Sequence, residues 1–195
     1  YPHHSIGWKV LGGIYQQTGH VTNALTVCKK VIDIDSKDAG AHNNYGTTLQ
    51  KLQRLEEAEA SYRKAIKLKP DFAEAYNGIG SAQRDKGNLE TAIDSFEQAV
   101  KIKPDFAEAY NNMGNALKDK DRLDDAIEAY KKALEIKCDY PEAYFNIGNA
   151  LKGVIFNKPN RDFQNTIVSI LNNQKYVRPN DISEAAISLL KLEPT

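Results

Sequence analysis

The chain has 195 residues, 41% of them apolar, and 26 Lys+Arg balance 26 Asp+Glu. That is enough apolar material for one or two domains, while the neutral balance argues against a nucleic-acid or membrane partner, because nothing overall would offset a phosphate lattice. Cys28 and Cys138 make no disulfide framework and suit a reducing, cytoplasmic setting, and apolar runs such as Val154-Ile155-Phe156 fall far short of the ~20 residues that span a bilayer.

An internal period organises the chain. Residues 70–77 read PDFAEAYN, and residues 104–111 read the same 34 positions later. That offset also relates Gly12, Gly46, Gly80, Gly114 and Gly148, then Ala24, Ala58, Ala92 and Ala126, then Tyr62, Phe96 and Tyr130. Pro2, Pro70 and Pro104 form a further column, in which Ser36 and Cys138 replace proline. The repeats run 5–38, 39–72, 73–106 and 107–140, with a partial fifth over 141–152. Pro2 stands where a preceding repeat would close, so a helix upstream of Tyr1 is expected.

Each repeat reads as two helices. Apolar or small residues at repeat positions 4, 7, 8 and 11 have helical spacing, and positions 20, 24 and 27 mark a second helix, as in Ala92, Phe96 and Ala99. Glycine at position 8 and alanine at position 20 allow two antiparallel helices to approach, and the large residue at position 24 fills the space beside them. Proline at position 32 is expected to end the second helix. Asp71/Glu74, Asp105/Glu108 and Asp139/Glu142 have capping-box spacing for the helix that follows. A single helix pair cannot bury its apolar face, so neighbouring pairs stack.

Residues 153–195 break the period. A helix is expected from Asn160, with Phe163, Ile167, Ile170 and Leu171 on one face. Another is expected from Asp181, with Glu184 completing a capping box and Ile182, Ala185, Ala186 and Leu189 as its stripe. The linker Lys175–Pro179 separates them. These helices are read as a cap over the last repeat, or as a link to a further domain.

The columns Trp8, Leu11, Gly12, Tyr15 and Ala24 resemble the tetratricopeptide repeat pattern W-x2-L-G-x2-Y, then A-x3-F, then P. His42, Tyr76, Tyr110 and Tyr144 stand in the Trp8 column. The resemblance implies an all-α fold, a right-handed α-solenoid of stacked antiparallel helix pairs over residues 1–152, with a helical C-terminal cap or linker over 153–195. It also implies that the first helices line a concave groove through positions 2, 5, 6, 9, 12 and 13.

Carried onto this chain, those positions give an amide-rich lining. Position 5 supplies Asn43, Asn77 and Asn111, and position 6 supplies Asn44, Asn112 and Asn146. Position 9 supplies Thr47, Ser81, Asn115 and Asn149, and position 12 supplies Arg84, Lys118 and Lys152. A carboxamide offers one acceptor and two donors, matching the C=O and N–H of an extended peptide, and the cations would attract acidic groups. The lining is similar to the asparagine ladder in the repeat arm of O-GlcNAc transferase, although Val10 and Gly78 interrupt it. A chaperone-carboxylate clamp is not expected: Lys9 and Asn44 fit one, whereas Gly13, Glu74 and Gly78 do not.

Other chemistry is sparse. Asp119, Asp121 and Asp124 lack the ligands of a calcium loop, since Leu123 and Tyr130 fall at ligand positions. His3, His4, His20 and His42 have no completing metal ligands, and no nucleophile triad is visible. Cys28 reads as core filler and Cys138 as exposed. The expected function is a non-catalytic protein-interaction scaffold holding an extended polypeptide, without metal or cofactor. Self-association through Ile6, Trp8 and Val10 is a further expectation. The alternative is the substrate-recruiting arm of a larger glycosyl-, methyl- or sulfotransferase whose catalytic domain lies outside this chain.

Overall fold

The computed structural model describes residues 5–152, 154, 161–172 and 179–190. Every regular element among them is helical. The contacts group the chain into two compact units, one through Pro104 and one from Asp105.

In the first unit α1 (Ser5–Gln17) pairs with α2 (Val21–Ile34), α3 (Ala39–Lys51) with α4 (Leu55–Leu68), and α5 (Ala73–Asp85) with α6 (Leu89–Ile102). The pairs stack on one another through α2 against α3 and α4 against α5. In the second unit α7 (Ala107–Asp119) pairs with α8 (Leu123–Ile136), and α9 (Pro141–Leu151) packs on both. There α11 (Pro179–Leu190) packs on α9 and on α10 (Arg161–Asn172).

The columns read from the sequence form the cores. Ala24, Ala58, Ala92 and Ala126 are wholly buried, as are the rings of Phe96 and Tyr130. Glycine at position 8 has a steric cause: a Cβ on Gly80 would lie 2.6 Å from Phe96 Cε1, and one on Gly114 would lie 2.5 Å from Tyr130 Cε1. Tyr62 is gripped from two sides, because a Cβ on Gly46 or on Gly78 would strike its ring at 2.8 or 2.5 Å. Gly78 therefore interrupts the asparagine column where the ring of the preceding repeat needs the space. Cys28 is buried and Cys138 exposed; burial pushes the Cys28 thiol up, against a weaker opposing contact with Thr48.

The turn inside each repeat is left-handed at one position. Gly19, Gln53, Gly87 and Asp121, spaced by 34, have φ of 76°, 60°, 81° and 58°. Glycine adopts this without strain, whereas Gln53 and Asp121 are held there by the helices on either side.

Helix ends depart from the expectation in two respects. The second helices stop at Ile34, Leu68, Ile102 and Ile136 whether proline, serine or cysteine follows two residues on. The stop lies one residue earlier, where Asp35, Lys69, Lys103 and Lys137 turn extended while each backbone N–H still reaches the carbonyl four residues back. Proline reinforces a stop that the turn already makes.

The three expected capping boxes are out of register with the helices. The N-caps are Phe72, Phe106 and Tyr140, with no side-chain cap bond, so Asp71, Asp105 and Asp139 fall one residue too early. Packing of the aromatic residue sets the register instead: Tyr140 is buried beside Ala133 and Ala143, and the Lys69 and Lys137 ammonium groups lie over the Phe72 and Tyr140 rings at 5.0 and 4.5 Å. The same column holds Asp38 in the first repeat, and there a true cap forms, with Asp38 Oδ1 accepting from the Ala41 N–H at 3.1 Å.

At the C-terminal side, Ile167, Ile170, Ile182 and Ala185 are buried as the stripes require. Helix α11 starts at Pro179 rather than Asp181, with proline in the first turn where its missing N–H is harmless; the Asp181/Glu184 box is therefore inside the helix. Pro2, residues 155–160, residues 175–178 and the side chains of Phe163 and Leu189 lie outside the described residues.

Candidate functional site

The expected lining falls on the first helices, α3 and α5 in the first unit and α7 and α9 in the second. Position 5 is the most enclosed. Asn77 and Asn111 are only 7% and 5% exposed, and Asn43 is half-buried with its Oδ1 sealed from solvent and without a hydrogen-bond partner. Position 6 is more open: Asn44 is exposed, and Asn112 and Asn146 are half-buried. Thr47, Ser81, Asn115, Arg84 and Lys118 are half-buried, and Asn149 and Lys152 are exposed.

Some of these side chains join consecutive helices. In the second unit Asn146 Nδ2 on α9 donates to Asn111 Oδ1 on α7 at 2.9 Å. This pairs position 6 of one repeat with position 5 of the repeat before. The equivalent donor for Asn43 would stand at Gly78, which has no side chain. The bare acceptor at Asn43 thus follows from the space the Tyr62 ring takes.

The hydroxyls beneath the lining are tied as well. Tyr130 OH donates to Asn115 Oδ1 at 2.8 Å, and Tyr62 OH approaches Thr47 Oγ1 and Gln50 Oε1, each at 3.2 Å. Burial pushes the Tyr62 phenol up to about 12, with the Thr47 contact working against it and the Asp85 carboxylate adding to it. Gln16 and Gln50 at position 12 are inter-repeat hooks: Gln16 Nε2 donates to the Asn44 carbonyl at 3.0 Å and to Thr48 Oγ1 at 2.8 Å, and Gln50 Nε2 donates to Asp85 Oδ2 at 2.7 Å. Lys9 forms an ion pair with Asp38.

Phe145, which ends the position 5 column on α9, is 58% exposed. One feature was missed: Asp85 at position 13 places an acid beside Arg84. It sits in a column the period already defined, so reading that column residue by residue would have found it.

Comparison with known families settles the class. Profiles described as TPR repeat match residues 48–84, 80–121 and 114–153, and profiles described as tetratricopeptide repeat match 27–60 and 8–38. The chain belongs to the tetratricopeptide repeat family. No protein of curated function matches the sequence. Among solved structures, the chain is similar to the MamA protein at 25% identity, covering 97% of this chain and 98% of that one with a TM-score of 0.65. It is also similar to pilF of Pseudomonas aeruginosa at 19% identity, 90% and 76% coverage and a TM-score of 0.73. A third likeness is to the first tetratricopeptide domain of Spaghetti (RPAP3) bound to an HSP90 peptide, at 22% identity, 60% and 92% coverage and a TM-score of 0.57.

In this tetratricopeptide chain the described residues contain no group of three His, Cys, Asp or Glu able to hold a metal ion. No helix among them is long and apolar enough to cross a membrane.

Proposed function

We propose that the first helices of this protein-interaction scaffold hold an extended polypeptide, without catalysis, in a reducing compartment such as the cytoplasm. The interaction-scaffold role itself follows from the tetratricopeptide family. The polypeptide would run over the accessible groups Asn44, Thr47 and Arg84 in the first unit, and over Asn112, Asn115, Lys118, Asn146, Asn149 and Lys152 in the second. Asn77 and Ser81 in the first unit, and Asn111 in the second, would support the lining from beneath.

The observation that supports this reading is the set of solvent-reaching carboxamides on successive first helices, Asn44 in the first unit and Asn112, Asn146 and Asn149 in the second. A carboxamide carries one acceptor and two donors, the groups that the N–H and C=O of an extended strand call for. The cations at position 12 favour acidic ligands. A chaperone-type carboxylate clamp is disfavoured, because Lys9, one of its two fitting residues, is engaged by Asp38.

The test is calorimetric titration of unstructured acidic peptides that bind the wild type. Asn112→Ala and Asn44→Ala should each weaken binding several-fold, on the order of 1 kcal/mol per lost bond. N-methylation of alternate peptide amides should weaken it further, because the recognised groups belong to the backbone. Equal affinity for the Asn variants and the methylated peptides would refute the reading.

A further inference from the structure

Repeat positions 2, 5, 9 and 12 are separated by three, four and three residues, so they fall on one strip of a first helix. In the second unit that strip reads Glu108, Asn111, Asn115 and Lys118 on α7, and Glu142, Phe145, Asn149 and Lys152 on α9. The two strips share an acid, an amide and a cation, and they differ at position 5, where a phenyl ring replaces a carboxamide.

Burial runs against that exchange. The polar Asn111 is 5% exposed and bonded to Asn146, whereas the apolar Phe145 is 58% exposed. Helix α11 packs on α9 and still leaves the ring open. Among the described residues, α3, α5 and α7 carry no exposed large apolar side chain. A ring left in water adds little to the core, so the fold does not call for phenylalanine here.

The size of the patch selects its occupant. One ring offers about 200 Å² at most, far below the ~800 Å² per partner of a stable protein interface, so it fits a single side chain better than a second copy of the chain. Its neighbours on the strip fit the rest of an extended segment. Asn149, one turn along, is exposed and offers both donor and acceptor to a backbone. Lys152 lies two turns along, about 10 Å, which about three residues of extended chain span. Glu142, one turn the other way, would repel an acid on that side.

We propose that Phe145 is the anchor step of the polypeptide-binding face. It takes one aromatic or long aliphatic side chain of an extended segment, while Asn149 holds the backbone and Lys152 pairs with an acid on one side of the anchor. The proposal rests on the peptide-binding reading above and adds what the ligand must carry.

The test is fluorescence anisotropy with the full chain and labelled synthetic peptides, identical except for phenylalanine or alanine at one central residue, with aspartates within about three residues on one side. The wild type should bind the phenylalanine peptide about tenfold more tightly. Phe145→Asn restores the residue of the column at an exposed site; it should abolish that difference, leave the alanine peptide unchanged and keep the circular dichroism of the wild type. Phe145→Leu should retain most of the preference. Lys152→Glu should shift the choice from flanking aspartates to flanking lysines, and Asn112→Ala should weaken both peptides alike. Equal binding of the two peptides by the wild type, or a preference that survives Phe145→Asn, would overturn the anchor and leave the groove standing. If neither peptide bound, the groove reading would fall and the anchor with it. Self-association abolished by Phe145→Asn would put a second copy on the ring and overturn the proposal.

Discussion

Adding one methyl group at repeat position 8 should have opposite consequences in the first and fourth repeats. In Gly114→Ala the new Cβ would sit 2.5, 2.7 and 2.9 Å from Tyr130 Cε1, Cδ1 and Cζ. The ring is wholly buried and its hydroxyl is tied to Asn115 at 2.8 Å, so it cannot retreat without breaking that bond. Overpacking of this severity destabilises by about 3 kcal/mol, and the better helix propensity of alanine offsets about 1 kcal/mol, leaving a net loss of about 2 kcal/mol. In Gly12→Ala the nearest atoms are Val27 Cγ1 at 3.3 Å and Cys28 Sγ at 3.8 Å. A slight shift of Val27 accommodates the methyl, and the propensity gain leaves the variant neutral or stabilised by up to about 0.5 kcal/mol. Urea unfolding, supported by hydrogen exchange of the α7 and α8 amides because repeat arrays need not unfold as one, measures both. Gly114→Ala should also lower the melting temperature by about 4–8 °C for a chain of this size. Replacing Tyr130 by Cys in the Gly114→Ala background copies the arrangement of Gly12→Ala against Cys28, and the pair should be less destabilising than the sum of its singles. Equal stability of the two alanine variants would refute the argument that ring contact selects glycine here.

Three further outcomes follow from the turns, the cap and the buried phenol. Gln53→Gly should stabilise the chain by about 0.5–1 kcal/mol, since it relieves a left-handed residue, and a lower urea midpoint would count against this. Asp38→Ala should destabilise by about 1–2 kcal/mol through loss of the α3 cap. For the pH profile, burial pushes the Asp38 carboxyl up, but Lys9 and the Ala41 amide outweigh it and hold the value low. The depressed value means that the Asp38 contribution is full above the ordinary carboxylate range and is lost as pH falls through the folded-state value. Acid unfolding should accordingly be shallower in Asp38→Asn, as measured by circular dichroism. Tyr62, raised to about 12, stabilises the fold fully below its unfolded value of about 10 and loses that contribution as pH rises toward 12. Alkaline unfolding should therefore track Tyr62 ionisation in ultraviolet difference spectra and move to higher pH in Tyr62→Phe.

The period of 34 carried the repeat fold, the helix pairs and the buried columns, because packing of like on like requires the same small or large residue at each step. Ala58 under Tyr62 and Ala126 under Tyr130 were legible for that reason. The amide lining was legible as a set of positions only. Asn111 and Asn112 are adjacent in sequence and alike in chemistry, yet Asn111 is buried and bonded to Asn146 while Asn112 is half-buried. That difference comes from the next repeat, whose helix covers one flank of α7. The left-handed turn at Gln53, the aromatic caps at Phe72 and Phe106, and the bare acceptor at Asn43 likewise arise from contacts between elements. A local pattern records what each helix prefers. Only the assembled hairpins decide which of those preferences are met, because burial and hydrogen-bond partners are properties of the neighbours.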